Sequence, residues 1–131
     1  VLDYGLFLAC AGTVQNTVTA RYNLSSALFG GEGLFNLKLI GNGVFAMESP
    51  VPKEELIEVV LDNDTLRVDG NFAIAWSSTL SFTVEKSTKS LLGSAVSGEG
   101  FVNVYRGTGK VLLAPTKTTK LATLSSMAPN A

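Results

Sequence analysis

No histidine occurs in this 131-residue chain, and it contains a single cysteine, Cys10. Without histidine there is no Ser-His-Asp or Cys-His nucleophilic site, and no Ser-x-x-Lys motif replaces them. A zinc centre built from Cys and His has no ligands either. Cys10 cannot form an internal disulfide. It sits in the apolar run Leu6-Phe7-Leu8-Ala9-Cys10-Ala11, so its expected role is that of a small buried hydrophobe, inert for want of a nearby base. Charge is scarce: 16% of residues are Asp, Glu, Lys or Arg, against about 25% in an ordinary soluble domain. The net charge is −1. A surface with so weak a field gives no bulk attraction for nucleic acid or anionic lipid, and no nucleic-acid partner is expected. No apolar run reaches the roughly twenty residues that span a bilayer, so no transmembrane segment is expected.

Glycine is present in quantity, and it is placed twice. The segment Gly31-Glu32-Gly33-Leu34-Phe35-Asn36 returns as Gly98-Glu99-Gly100-Phe101-Val102-Asn103. A second glycine pair follows each copy, Gly41-Asn42-Gly43 and Gly107-Thr108-Gly109. Upstream, Leu2-Asp3 matches Val68-Asp69, Leu8-Ala9 matches Ile74-Ala75, and Thr17-Val18 matches Thr83-Val84. The offset is 66 residues there and 67 at the Gly-Glu-Gly motif, which reads as one residue gained in the intervening loop. Self-similarity of this kind fixes an architecture before it suggests a reaction. The reading is one β domain over residues 1–131, made of two repeats at about 1–61 and 62–131, the first lacking its opening strand ahead of Val1.

The local patterns are those of strands. Leu80-Ser81-Phe82-Thr83-Val84 and Phe35-Asn36-Leu37-Lys38-Leu39 alternate with period two, as half-buried strands do. Phe72-Ala73-Ile74-Ala75-Trp76 and the run through Cys10 are apolar throughout and predict burial on both faces. Leu56–Leu61 and Leu66–Val68 flank Asp62-Asn63-Asp64-Thr65, which reads as a tight hairpin because Asn and Asp tolerate positive φ. Pro52-Lys53-Glu54-Glu55 offers at most one helical turn. Short strands punctuated by Gly, Asn and Pro argue for an all-β sandwich or barrel. By the repeat, Leu121–Leu124 takes the place that Leu56–Val59 holds in the other unit, and the expectation is that this tail closes the incomplete first unit, in its own chain or in a neighbour.

The motifs carry little chemistry. Gly31, Gly33, Gly98 and Gly100 bracket a glutamate just before a strand, where bends or bulges need φ values that side chains resist. Gly41, Gly43, Gly107 and Gly109 fit hairpin turns. No phosphate loop is present, since Gly109-Lys110 is followed by Val111, and no dinucleotide fingerprint, since a strand follows where a helix is needed. Glu32 and Glu99 are related by the repeat, and a carboxylate pair can do acid–base work if burial raises one pKa. The stronger account has each glutamate accepting hydrogen bonds that fix a turn. Asp3 and Asp69 invite the same account. Asp62-Asn63-Asp64 could offer oxygens to calcium, but the later glutamate of an EF-hand loop is absent. Trp76 and the phenylalanines at strand spacing read as core. No metal and no cofactor are expected.

Taken together, the doubled Gly-Glu-Gly motif with its asparagine, the second glycine pair, and Leu66-x-Val68-Asp69 leading into Ile74-Ala75 resemble the altered-inheritance-of-mitochondria protein 24 family. The resemblance runs from about Leu2 to Pro115 and is most specific from Gly98 to Ala114. It implies a fold like that of the tryptophan RNA-binding attenuation protein, with tandem repeats packed as an antiparallel β-sandwich related to the double-stranded β-helix. It also implies a non-enzymatic protein, whose eukaryotic relatives are tied to mitochondrial inner-membrane organisation. It supplies no catalytic residue. RNA binding does not follow from the fold, because that activity needs a regular basic ring. Low charge with 46% hydrophobic residues adds the expectation of a surface covered by other copies, as in a trimer. Three functions are then open: an assembly module, a small-ligand binder with a pocket between sheets, and an enzyme using Glu32 or Glu99.

Overall fold

The computed structural model describes residues 1–3, 5–20, 35–69, 72–86 and 101–115. Eight strands make up almost all of its regular structure: β1 (Phe7–Cys10), β2 (Gln15–Ala20), β3 (Phe35–Ile40), β4 (Phe45–Met47), β5 (Ile57–Asp69), β6 (Ala73–Trp76), β7 (Ser81–Lys86) and β8 (Phe101–Leu113). All named pairings are antiparallel: β1 with β4, β2 with β3, and β8 with β5 on one side and with β6 and β7 on the other. The chain is therefore all-β and antiparallel. The one helical element among the described residues is a 3₁₀ turn, Lys53–Glu55. It ends at Leu56, whose extended backbone leads into β5, and the β-branched residues of Ile57-Glu58-Val59-Val60 favour a strand from there on.

The pairing register of residues 7–47 recurs 66 residues later. Phe7↔Met47, Ala9↔Ala46 and Cys10↔Phe45 become Ala73↔Leu113, Ala75↔Leu112 and Trp76↔Val111, with the same irregularity skipping Leu8 and Ile74. Gln15↔Ile40 through Ala20↔Phe35 become Ser81↔Arg106 through Lys86↔Phe101. The isolated bridge Leu2↔Leu37 is likewise the counterpart of Val68↔Asn103 in β5–β8. Leu2 also bridges Ala75, so residues 1–3 run between β3 and β6.

Three expectations are corrected. Asp62–Thr65 is no hairpin: β5 runs unbroken from Ile57 to Asp69, and the register shift between Leu61 and Asp64 is a bulge opposite Thr108. Asn63 takes the left-handed conformation there, at φ 50°, and its amide donates to Thr108 Oγ1 at 2.9 Å. The Asn/Asp signal was real, but it served a bulge, which wants the same φ as a turn. Nor do the glycine pairs make hairpins. β8 passes straight through Gly107-Thr108-Gly109, and Gly41–Gly43 joins β3 to β4, which pair with other strands and not with each other. These glycines mark corners. Gly41 and Gly107 have φ of 133° and 123°, and a Cβ on Gly41 would lie 2.5 Å from the Thr13 carbonyl oxygen. Third, β1 is not buried on both faces, since Leu8 is 61% exposed, and Cys10 is half-buried, its thiol 3.6 Å from the Val14 carbonyl.

The core is concentrated around β8. Leu61, Val68, Ala73, Trp76, Leu80, Tyr105 and Val111 form one buried cluster, and Leu6, Val51, Ile74 and Ala114 a second. In the first, Trp76, Phe82 and Tyr105 pack three ways, with ring centroids 5.2–5.3 Å apart. Each such ring pair adds about 0.5–1.5 kcal/mol beyond the area it buries.

Candidate functional site

The period-two alternation of β2 and β3 puts Thr19, Asn36 and Lys38 on one face. That face meets the end of the aromatic cluster. Together with Ser78 they form the polar side of an open cleft of about 520 Å³, its mouth included, whose apolar side is Trp76, Leu80 and Phe82. Asn36 is 4% exposed, and its carbonyl accepts from Thr19 Oγ1 at 3.2 Å. Lys38 is the one charged side chain among the lining residues, which also include Val1, whose amino group donates to the Trp76 carbonyl at 2.8 Å. One cation, two hydroxyls and a carboxamide beside an indole can orient a small polar or anionic molecule.

A second polar cluster lies on the face of β5, β7 and β8. Arg106 donates to Thr83 Oγ1 at 3.1 Å and to Glu85 Oε1. Arg67 approaches Glu85 Oε2 at 3.8 Å. Hydrogen bonding from Arg106, ahead of the charges of Arg106 and Arg67, pulls the Glu85 pKa below its ordinary value. A third charged pair, Lys110 to Glu58 at 2.9 Å, joins β8 to β5 in the open, where such contacts contribute little. Among the described residues no group of three His, Cys, Asp or Glu is placed to hold a metal ion.

Of the residues singled out in the sequence, Gly31, Glu32, Gly33, Gly98, Glu99 and Gly100 lie outside the described residues, as do Leu121–Leu124. Gly41, Gly43, Gly107 and Gly109 sit at the two corners, where a Cβ on Gly43 or Gly109 would press to within 2.8 Å of Thr13 or Ser77 side-chain atoms. Asn36 and Asn103 match in sequence at an offset of 67, but the strand register repeats at 66. Asn36 therefore corresponds to Val102, and Asn103 to Leu37. A one-residue slip changes the face of a strand, so only Asn36 reaches the cleft. Asp3 is buried and its amide donates to the Ile74 carbonyl at 3.0 Å. Thr19, Lys38 and Ser78 were not anticipated as lining residues. The alternation in Asn36-Leu37-Lys38 was visible, but its facing strand was not.

A family model described as mitochondrial biogenesis AIM24 matches residues 1–116. The chain belongs to the AIM24 family. An uncharacterized protein of Streptococcus pyogenes serotype M6 is 32% identical over 113 residues, which cover 86% of this chain and 44% of the streptococcal one. The crystal structure of a Streptococcus pyogenes protein superposes with a TM-score of 0.64 at 26% identity, covering 95% of this chain and 51% of that one. The chain thus spans about half the length of these AIM24 relatives. Neither relative has an assigned role in its description. No helix among the described residues is long and apolar enough to cross a membrane.

Proposed function

We propose that this AIM24-family chain is a non-enzymatic assembly module that packs against further copies of itself. The observation that carries the reading is the exposure of Leu8 and Phe45 in the first half, where the repeat buries their counterparts. Leu8, Val18, Ile40, Val44 and Phe45 are all exposed within residues 7–47, whereas the counterparts of Leu8 and Phe45 in the second half, Ile74 and Val111, are sealed at 0% exposure. Exposed apolar side chains of this kind mark candidate contact sites in soluble proteins. Low charge supports the same reading, because little repulsion opposes association. Light scattering at micromolar concentration should return a mass that is a multiple of 13.8 kDa, with a trimer as the expected state, and Val44→Lys should shift it toward the monomer. A monomer at all concentrations removes the proposal.

The cleft supports a second reading, a binder of small polar or anionic molecules. Asn36, buried beside Lys38 and Trp76, is the specific feature in its favour. A ligand at a hundred times its Kd raises stability by about 2.7 kcal/mol, which a thermal-shift screen of sugars, nucleotides and carboxylates detects. Loss of that shift in Lys38→Met places the ligand in the cleft.

A further inference from the structure

The two halves differ in one respect that their shared register makes plain. β8 is paired along both edges, by β6 and β7 on one side and by β5 on the other. Its counterparts β3 and β4 are paired along one edge, by β2 and β1. On the second edge, among the described residues, only Leu2 is in place, bridging Leu37 where Val68 pairs with Asn103. Subtracting 66 from each β5–β8 pair puts equivalents of Leu61, Val59 and Ile57 opposite Gly43, Phe45 and Met47, positions that none of the described residues fills. Phe45 on this edge is 47% exposed, whereas its counterpart Val111, whose strand β5 pairs, is at 0%.

We propose that the outer edge of β3–β4 is a strand-acceptor site for an extended apolar segment of polypeptide entering Val1 from its N-terminal side. The direction is set by Leu2. Antiparallel pairing at Leu2↔Leu37 carries any chain joined ahead of Val1 along β3, past Gly41, and onto β4. The required chemistry is that of β5: residues of high strand propensity, apolar side chains opposite Phe45 and Gly43, and one left-handed residue where Asn63 makes its bulge. Addition of a strand satisfies the edge amides and carbonyls in a way that side-chain packing alone does not. AIM24 relatives about twice this length carry further polypeptide. The inference shares Val44 and Phe45 with the assembly proposal but concerns the backbone edge of their strand; mass reads that proposal, and exchange with the ordered against the shuffled addition reads this one.

The test joins a copy of residues 57–66 directly to Val1 and follows amide hydrogen exchange at residues 43–47 in the whole chain. Exchange of the outward amides should slow roughly tenfold or more relative to the chain without the addition and to one carrying the same residues shuffled. The buried emission of Trp76 reports that the β5–β8 half is native in all three. Equal exchange with the ordered and shuffled additions overturns the proposal. So does protection in the unextended chain that grows with concentration, which gives the edge to a second copy. Protection there that vanishes when the chain is cut after Pro115 overturns it as well, and gives the edge to residues 116–131.

Discussion

Thr13 and Thr79 donate the same hydrogen bond in two places. Each hydroxyl reaches the carbonyl of the residue between the corner glycines, Asn42 or Thr108, at 2.7 Å. Around them the turn bonds also match: Val14 to Ala11 and Leu80 to Ser77 within the turns, and Ala11 to Val44 and Ser77 to Lys110 across them. Each turn thus grips a bend in the strand ribbon opposite, at a distance that leaves no room for a side chain at Gly41, Gly43 or Gly109.

The corner glycines should therefore be intolerant for separable reasons. Gly109→Ala brings a Cβ to 2.8 Å from Ser77 Cβ and 3.1 Å from Leu80 Cγ, which costs about 1–3 kcal/mol of overpacking. Gly107→Ala meets nothing closer than 3.5 Å, so its cost is backbone strain at φ 123°, about 1–3 kcal/mol. Gly41→Ala combines both and should be the most damaging of the three in urea unfolding. Equal midpoints for Gly41→Ala and Gly107→Ala would refute this ordering.

The bulge in β5 makes a sharper prediction. Asn63 sits at φ 50°, a region that β-branched residues avoid at about 1–2 kcal/mol. Asn63→Gly should leave stability within about 0.5 kcal/mol of the parent, while Asn63→Val should lower it by the full strain. Thermal unfolding of the pair distinguishes them.

Trp76 is the sole tryptophan, buried against Phe82 and Tyr105. Its emission should be blue-shifted in the folded chain and move red on unfolding. Trp76→Phe should cost less than Trp76→Ala, for which about 3–5 kcal/mol is expected, as read from denaturant midpoints with circular dichroism.

Glu85 gives the stability a pH dependence of known sign. Its folded pKa lies below the ordinary glutamate value of 4.5 because Arg106 holds the charged form. The stabilisation is therefore full above that value and is lost as pH falls through the folded pKa. Glu85→Gln should lower Tm at neutral pH, and its deficit against the parent should shrink on acidification through that window. A deficit that stays constant or grows in acid contradicts the assignment of Glu85 to Arg106.

Much of this fold could be read from residues, and its failures are physically coherent. Strand existence followed from period-two patterns such as Ser81–Val84, and Trp76 from its apolar neighbours. Strand continuity did not. Glycine pairs and the Asp62–Thr65 cluster signal a departure from regular φ and ψ, but a corner or a bulge inside one strand needs the same residues as a turn between two. The Asn36 and Asn103 motifs misled for a related reason, since identity aligned them at 67 while the hydrogen-bond ladder repeats at 66. The cleft was least legible. Lys38, Thr19 and Ser78 come from three separated segments, and only tertiary pairing through Leu2 brings β3 beside β6.

That small seam has a thermodynamic consequence. Leu2 is 2% exposed, exchanges two backbone hydrogen bonds with Leu37 at 2.8 and 3.2 Å, and is followed by the Asp3 bond to Ile74. The two ladders are joined through this buried residue as well as through the cluster of Leu6, Val51, Ile74 and Ala114, so heat should break them together. A polar residue at position 2 should weaken that coupling, and the calorimetric trace should broaden before the β5–β8 ladder loses any intrinsic strength.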